Sequence, residues 1–287
     1  MPPPTTSWGL ARRIEQNYAR ALERLTVYIE PVIKGIDDPY EIIRRLKYLS
    51  KSQAFREYSV ALAQRMVGEV NKAVNQNWRN AAAYAAHKKG QAIREAILRE
   101  LTYTDRGYVI RDIVLKNAEL IKTIPDLIGK REASEMAKEG MLSGVRSTET
   151  AKEINARFPH LLEFQARRIA RTEVSKAQGA LTQARAQDLG MNWYIWRTSE
   201  DARVRPSHEY MDGVLINWGD PPNPEALAKA AGKYDGRVYN SYQAGGIFNC
   251  RCYPEPIIDF DWLEFPVKVH WSGSIRRMSR EDFLRIA

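Results

Sequence analysis

Residues 161–199 read LLEFQARRIARTEVSKAQGALTQARAQDLGMNWYIWRTS, and the character of the chain changes inside them. From Leu161 to Leu189 alanine and long unbranched side chains dominate and proline is absent, which is the composition of a helix interior. Gly190 supplies the left-handed residue that ends many helices. Directly beyond it, WYIWRTS alternates aromatic with polar residues as a strand does. The helix-to-strand change at Gly190 therefore divides the fold.

The helical texture extends toward the N-terminus. After a proline-rich leader, Leu10, Ile14, Ala21, Leu25 and Ile29 recur near helical spacing, and Pro31 is expected to close that helix. Asp37, Asp38 and Pro39 open a second one through Tyr40, Ile43 and Leu46. Residues 53–101 hold almost no glycine or proline and predict one long helix or two in tandem. Turn chemistry around Asp105 and Gly107 interrupts the pattern. Three more helices are expected before residue 161: one over 110–122, one after Pro125 running to Gly144, and one opened by Ser147 or Thr148.

Beyond Gly190, glycine, proline, aspartate and asparagine become frequent. VLINW (214–218), RCYPEPII (251–258) and VKVHW (267–271) are short strand candidates. SREDFLRI (279–286) predicts a closing helix capped by Ser279, with Asp282 three residues on. The expectation is an α+β protein, an elongated and mainly α-helical N-terminal region followed by a compact α+β C-terminal module with a small sheet.

A chain of 287 residues can form two domains, and 44% hydrophobic with 28% charged residues excludes disorder throughout. Lys and Arg outnumber Asp and Glu by 44 to 35, a formal net charge of +9, which favours acidic partners such as nucleic acid or an acidic protein surface. Basic residues do not form long consecutive blocks, so charge alone does not choose between these partners. The start, MPPPTTSWGLARRIEQ, has no apolar segment behind a basic leader, and no apolar run reaches about 18 residues. These features predict a soluble protein made in a cytoplasm, with both thiols reduced.

Three clusters carry chemistry-bearing side chains: RIARTE (168–173), TSEDARVRPSHEYMDG (198–213) and FNCRC (248–252). Taken in order, ARTE on a helix, a tryptophan ahead of D-x-R-V-R-x-x-H-x-x-x-D-G, and N-C-R-C followed by a proline resemble the Mu F-like head-morphogenesis family of phage minor head proteins. The resemblance spans about residues 110–258 and is most specific in its last part. It does not reach the first 100 residues or so. The stretch NPEALAKAAGKYDGRVYNSYQAGGI (223–247) departs from it as an insertion.

The resemblance implies a structural, non-enzymatic minor head (capsid) protein of a tailed phage, associated with the portal inside the procapsid or head. Such a protein assists head assembly, DNA packaging or DNA delivery. Implied partners are the portal protein, a capsid or scaffold protein, and packaged double-stranded DNA bound nonspecifically, with no membrane. The implied location is the head interior near the portal in the virion, and the host cytoplasm during assembly. On this basis residues 1–108 form a helical region that is a candidate for portal or capsid docking. Residues 109–287 form the head-morphogenesis domain, with a helical lead-in (109–190) and an α+β module (191–287).

The residues also have readings of their own. In an extended segment Cys250 and Cys252 point to one side of the backbone, an arrangement that suits a shared ligand better than a mutual disulfide. With His208 they supply three ligands of an incomplete tetrahedral zinc site that Asp201, Asp212 or His270 can complete. The alternative has no cofactor: the thiols pack as small hydrophobes and His208 makes a structural hydrogen bond. A metal-dependent nuclease, hydrolase or effector uses the same atoms differently. There His208 pairs with Asp201, Asp212 or Glu173 as acid and base while Arg203, Arg205 or Arg251 neutralises a phosphate, or Cys250 acts as a nucleophile with His208 as its base.

Arg171, Glu173, Asp201, Arg203 and Arg205, dense and mixed in sign beside Trp193, Trp196 and Trp218, predict a structural polar network that fixes the helix against the sheet. On the Ala-rich helix, Arg79, Lys88, Lys89, Arg94 and Arg99 form either a solvated face or a row of phosphate contacts.

Overall fold

A computed structural model describes residues 8–9, 12–89, 91–104, 106–143 and 147–287. Leu10 and Asp105, used above to place the first helix and the turn near 105, lie outside them. Seven helices come first: α1 (Arg12–Glu23), α2 (Thr26–Ile33), α3 (Pro39–Lys51), α4 (Gln53–Lys89), α5 (Gln91–Tyr103), α6 (Gly107–Ser143) and α7 (Ser147–Asp188). The C-terminal part adds β1 (Trp193–Arg197), α8 (Pro206–Met211), β2 (Leu215–Asn217), α9 (Pro224–Ala230) and β3 (Tyr253–Pro256). It ends with a 3-10 turn (Phe260–Trp262), β4 (Val267–Trp271), β5 (Ser274–Met278) and α10 (Arg280–Leu284). The class is α+β, with helices in the N-terminal part and a small mixed sheet in the C-terminal part.

Three prolines do not break the chain where their chemistry predicts. Pro31, Pro125 and Pro159 lie inside α2, α6 and α7, so the closure at Pro31 and the breaks near residues 122–125 and 158–161 are corrected to continuous helix. A proline inside a helix costs about 3 kcal/mol. Around Pro125, Ile121, Ile124 and Ile128 are buried, and around Pro159, Phe158 and Leu162 are buried. Each such side chain contributes about 1.5–3 kcal/mol when fully buried, so the continuous apolar stripe outweighs the missing hydrogen bond. Asp38 caps α3 as its sequence predicts, accepting from the Tyr40 amide at 3.0 Å with Pro39 in the first turn.

The chain forms two compact units. One takes Arg12–Gly68 and Ile110–Ala170; the other takes Glu69–Val109 and Arg171–Ala287 together with Trp8 and Gly9. Each draws on residues from both sides of position 108, because the changeovers fall within α4, α6 and α7. The first unit is all helix. Its core holds Leu22, Leu25, Ile29, Ile42, Leu46 and Phe55, all fully buried, and Tyr28 packs against Tyr58 with ring centres 4.6 Å apart and planes tilted by 45°.

In the second unit a buried ionic cluster joins helices distant in sequence. Glu100 on α5 accepts two hydrogen bonds from Arg185 on α7, at 3.0 and 2.9 Å and 85 positions away. Arg185 also donates to Asn75 on α4 at 2.6 Å, and Arg106 binds both Glu100 and Asp188. Glu100, Arg106 and Arg185 are all buried. Trp8 seals the same unit, its ring edge-on to Trp78 at 5.0 Å and its carbonyl taking hydrogen bonds from Asn77 and Gln178.

The sheet has the order β3-β1-β2-β4-β5, with β2 and β4 parallel and the other pairs antiparallel. Pro254 and Pro256 fit because β3 lies at an edge, where missing amide donors cost no ladder bond. β5 is a strand that periodicity does not reveal, since Arg276 and Arg277 are exposed. Its signal is the two-residue turn Ser272–Gly273, where both residues have positive φ, at 49° and 72°, as a tight hairpin requires. Alternate residues of β1 face opposite ways. Trp193 packs with Leu215, Ile257, Val267, Val269 and Phe283, while the fully buried Tyr194 and Trp196 face the site described below.

Two outcomes follow from the buried charges. Glu100→Gln removes the counter-ion of the buried Arg185 and leaves Arg106 with Asp188, and is expected to cost about 3–5 kcal/mol, read by chemical denaturation at neutral pH. His270 on β4 is held below the ordinary imidazole value by burial, with Asp220 at 3.5 Å only partly offsetting it. A depressed imidazole favours the folded state while it is neutral. Its contribution is therefore complete above about 6.5, the unfolded value, and declines as the pH falls toward the folded value. In His270→Asn the loss of stability from about pH 6.5 to about pH 5 is expected to be shallower than in the wild type.

Candidate functional site

Three stretches meet at the Tyr194–Trp196 face of β1. The first is α8, which presents His208 two residues after Pro206 sets its first turn. The second is α9, whose cap Asn223 accepts from the Ala226 amide at 2.9 Å and so fixes the turn that buries Glu225 completely. The third is the irregular segment 231–252 that ends in Asn249, Cys250, Arg251 and Cys252.

The C-terminal half of α7 holds this last segment. Thr172 accepts from the Asn249 amide at 2.9 Å, and Arg171 donates to the Asn249 side chain at 2.8 Å. Asn249 itself has φ +60°, a conformation its short polar side chain tolerates. Gly245 (φ +82°) lies so close to α7 that a Cβ there would meet Ser175 Oγ at 2.7 Å and the Cys252 carbonyl at 2.8 Å.

His208, Cys250 and Cys252 are buried, and their ligand atoms lie within 4.8 Å of one another, the one such group of three among the described residues. Nδ1 of His208 stands 3.4 Å from Cys250 Sγ and 3.3 Å from Cys252 Sγ. On the far side of the ring, Nε2 is 2.9 Å from the Tyr242 hydroxyl, which donates to Glu225 Oε1 at 2.7 Å. Ser207 Oγ also donates to that carboxylate oxygen, at 3.3 Å.

The electrostatics follow from this crowding. Cys250 is held well below the ordinary thiol value, first by a hydrogen bond from Cys252 and then, against burial, by His208; Cys252 is pushed up by the same thiolate and by burial. Burial works to lower the His208 pKa, but Cys250 and Glu225 outweigh it and raise it. Burial likewise works to raise Glu225, and the hydrogen bonds of His208 and Tyr242 hold it below the usual carboxylate range.

Arg171, Asp201, Arg203 and Arg205 line a cavity of about 230 Å³ together with His208, Cys250, Arg251 and Cys252. Asp201 pairs with Arg203 at 3.0 Å and with Arg251 at 3.7 Å. Arg205 donates to the Phe248 carbonyl at 2.9 Å and lies over the Phe248 ring. Glu173 does not line this cavity; its carboxylate pairs with Lys176 at 3.0 Å on its own helix.

The side chains suggested as a fourth ligand do not join the group. Asp212 accepts from the amide and hydroxyl of Thr198 at 2.8 and 3.2 Å, Asp201 is taken by the arginines, and His270 stands beside Asp220. The carboxylate that reaches His208 is Glu225, through Tyr242, and the sequence reading missed both. They lie in the stretch set aside as an insertion. The available signal was the helix start NPEALAKA, an Asn-Pro cap that places Glu225 in the first turn.

This buried, hydrogen-bonded centre in a helix-backed sheet lies in the part of the chain that comparison recognises. Residues 132–254 match the family model described as Phage Mu protein F like protein, a match that supports the Mu F-like head-morphogenesis family for this region. An uncharacterized protein of Haemophilus influenzae is 32% identical over 144 residues, which are 50% of this chain and 28% of that relative. The chain thus spans well under half of that relative's length. No solved structure matches it.

Gly245→Ala is expected to destabilise the protein by about 1–3 kcal/mol, because it adds a strained φ and drives the segment off α7. Thermal unfolding compared with the conservative Ser175→Ala, which removes only a long hydrogen bond, measures the difference.

Proposed function

We propose that this chain is a structural, non-catalytic minor head protein of a tailed phage, associating with the portal inside the procapsid or head and assisting assembly, DNA packaging or DNA delivery. The observation that carries the reading is the Mu F-like match over residues 132–254, which takes in the α7 motif, His208 and both cysteines. The geometry supports a structural role for those residues. His208 is bound on both ring nitrogens, and the cysteines are backed by α7, so the cluster closes a loop onto a helix. The expected acid–base partners Asp201, Asp212 and Glu173 are occupied elsewhere.

In this reading the partners are the portal protein and a capsid or scaffold protein, with packaged DNA held weakly and without sequence preference. The net charge of +9 supports tolerance of the polyanion, and Arg79, Arg94 and Arg99 are exposed in keeping with it. Lys88 and Lys89 lie outside the described side chains. No helix among the described residues is long and apolar enough to cross a membrane. The protein would reside in the head interior near the portal, and in the host cytoplasm during assembly.

Co-expression with the portal protein of the same phage, followed by affinity purification, is expected to recover both chains, and labelled particles are expected to carry this one at the portal vertex. Absence from purified procapsids and virions would overturn the proposal. Cleavage of double-stranded DNA by the purified chain, abolished in His208→Ala, would instead establish the nuclease alternative.

A further inference from the structure

The His208 cluster has a feature that packing alone does not explain. Tyr242 has a single hydroxyl proton, and Glu225 Oε1 at 2.7 Å takes it, so the tyrosine oxygen accepts from Nε2–H of His208. In the neutral ring Nδ1 then carries a lone pair, and that lone pair meets two sulfur atoms, at 3.4 and 3.3 Å. One thiol can donate along it. The second sulfur is then left against the same lone pair, with the Cys252 amide at 3.3 Å from Cys250 Sγ as the backbone donor to that pair of sulfurs.

A tetrahedral zinc ion removes the conflict. With Zn–S near 2.3 Å and Zn–N near 2.0–2.1 Å, the N···S edge of a tetrahedron is about 3.6 Å, close to both observed separations. The Glu225–Tyr242–imidazole relay is the arrangement by which carboxylates orient metal-bound histidines. The carboxylate itself supplies an independent sign. Glu225 is completely buried, and although its Oε1 accepts from Tyr242 and Ser207, its Oε2 has no hydrogen-bond partner, a cost that positive charge on the far side of the His208 ring would reduce.

We propose that His208 Nδ1, Cys250 Sγ and Cys252 Sγ hold a structural zinc ion, with Tyr242 and Glu225 as its positioning residues and the fourth corner facing the cavity lined by Arg171, Arg203 and Arg205. No fourth protein donor joins the group among the described residues, and all three ligands border that cavity. The fourth ligand is therefore water or a small anion drawn in by the arginines. The ion ties α8 to the end of the segment 231–252. The inference does not depend on the portal reading, and either can fail without the other.

The test uses the full chain, purified under reducing conditions without chelator from zinc-supplemented cells. Elemental analysis is expected to give about one zinc per chain. After metal removal, cobalt(II) is expected to restore a thiolate charge-transfer band and the intense visible bands of a tetrahedral ion. Inorganic phosphate or azide is expected to shift those bands through the open corner. Cys250→Ser with Cys252→Ser is expected to abolish both metals. Tyr242→Phe keeps all three ligands and is expected to weaken zinc about 10–100-fold in competition with a chromophoric chelator.

A wild-type chain that takes up neither zinc nor cobalt, or a double serine variant that binds as well as the wild type, overturns the site. Unchanged affinity in Tyr242→Phe overturns the positioning role. Cobalt bands indifferent to both anions overturn the open corner. The cobalt titration and Tyr242→Phe both leave the cysteines in place, so a misfolded serine variant does not leave the question open.

Discussion

The C-terminal module depends on one buried imidazole. His208 faces two sulfurs on one side and the Tyr242–Glu225 pair on the other, so α8, α9 and the 231–252 segment are fixed to each other through a single ring. That segment is long and irregular, and a compact unit accommodates such a stretch only where its polar groups find partners. Here side chains supply them. Tyr194 donates to Gln243, Gln243 donates to the Trp218 carbonyl, and Asn223 donates to the Tyr239 carbonyl. With no strand ladder available, the path of the chain is set by hydroxyl, amide and imidazole geometry.

The same helix serves this loop and a second, purely ionic join. On α7, Thr172 and Ser175 receive the loop, while Arg185 two turns and more beyond reaches Glu100 and Asn75. The two joins use opposite strategies. At Glu100 full charges are buried and compensate each other directly, which makes the cluster sensitive to loss of either partner. At the loop, no ion pair is used: a threonine, a serine and one arginine hydrogen-bond to backbone and amide groups, and Gly245 allows the close approach.

How much of this the sequence discloses depends on what each residue's neighbours in the chain reveal. The helix-to-strand change at Gly190, the cap at Asp38 and the closing helix at Ser279 are local chemistry, and the structure contains all three. The His208, Cys250 and Cys252 association was legible because soft ligands are rare and their order carries a family resemblance. Arg171 and Asn249, 78 positions apart, meet as members of two of the quoted motifs. What remained hidden is long-range. Glu100 looks like an ordinary solvated charge on a helix and Arg106 like one in the turn after it, and nothing local shows that Arg185 and Asp188 of α7 will meet them. Glu225 and Tyr242 sit in a stretch that looks inserted, and nothing local marks a carboxylate that will lose all contact with water. Pro31, Pro125 and Pro159 misled for the complementary reason, since local propensity yields to burial of the apolar side chains around them.

The interleaving of the two compact units has a consequence for biosynthesis. Glu69–Val109 belongs with Arg171–Ala287, so when the ribosome has made the first 170 residues, the surface around Trp78 and Ile97 has Trp8 but not the rest of its unit. Contacts of such sequence separation form late and slowly. A nascent chain of this design carries apolar helix without its final cover between the synthesis of residues 69–109 and that of the residues from Arg171 onward, an interval in which premature association competes with folding.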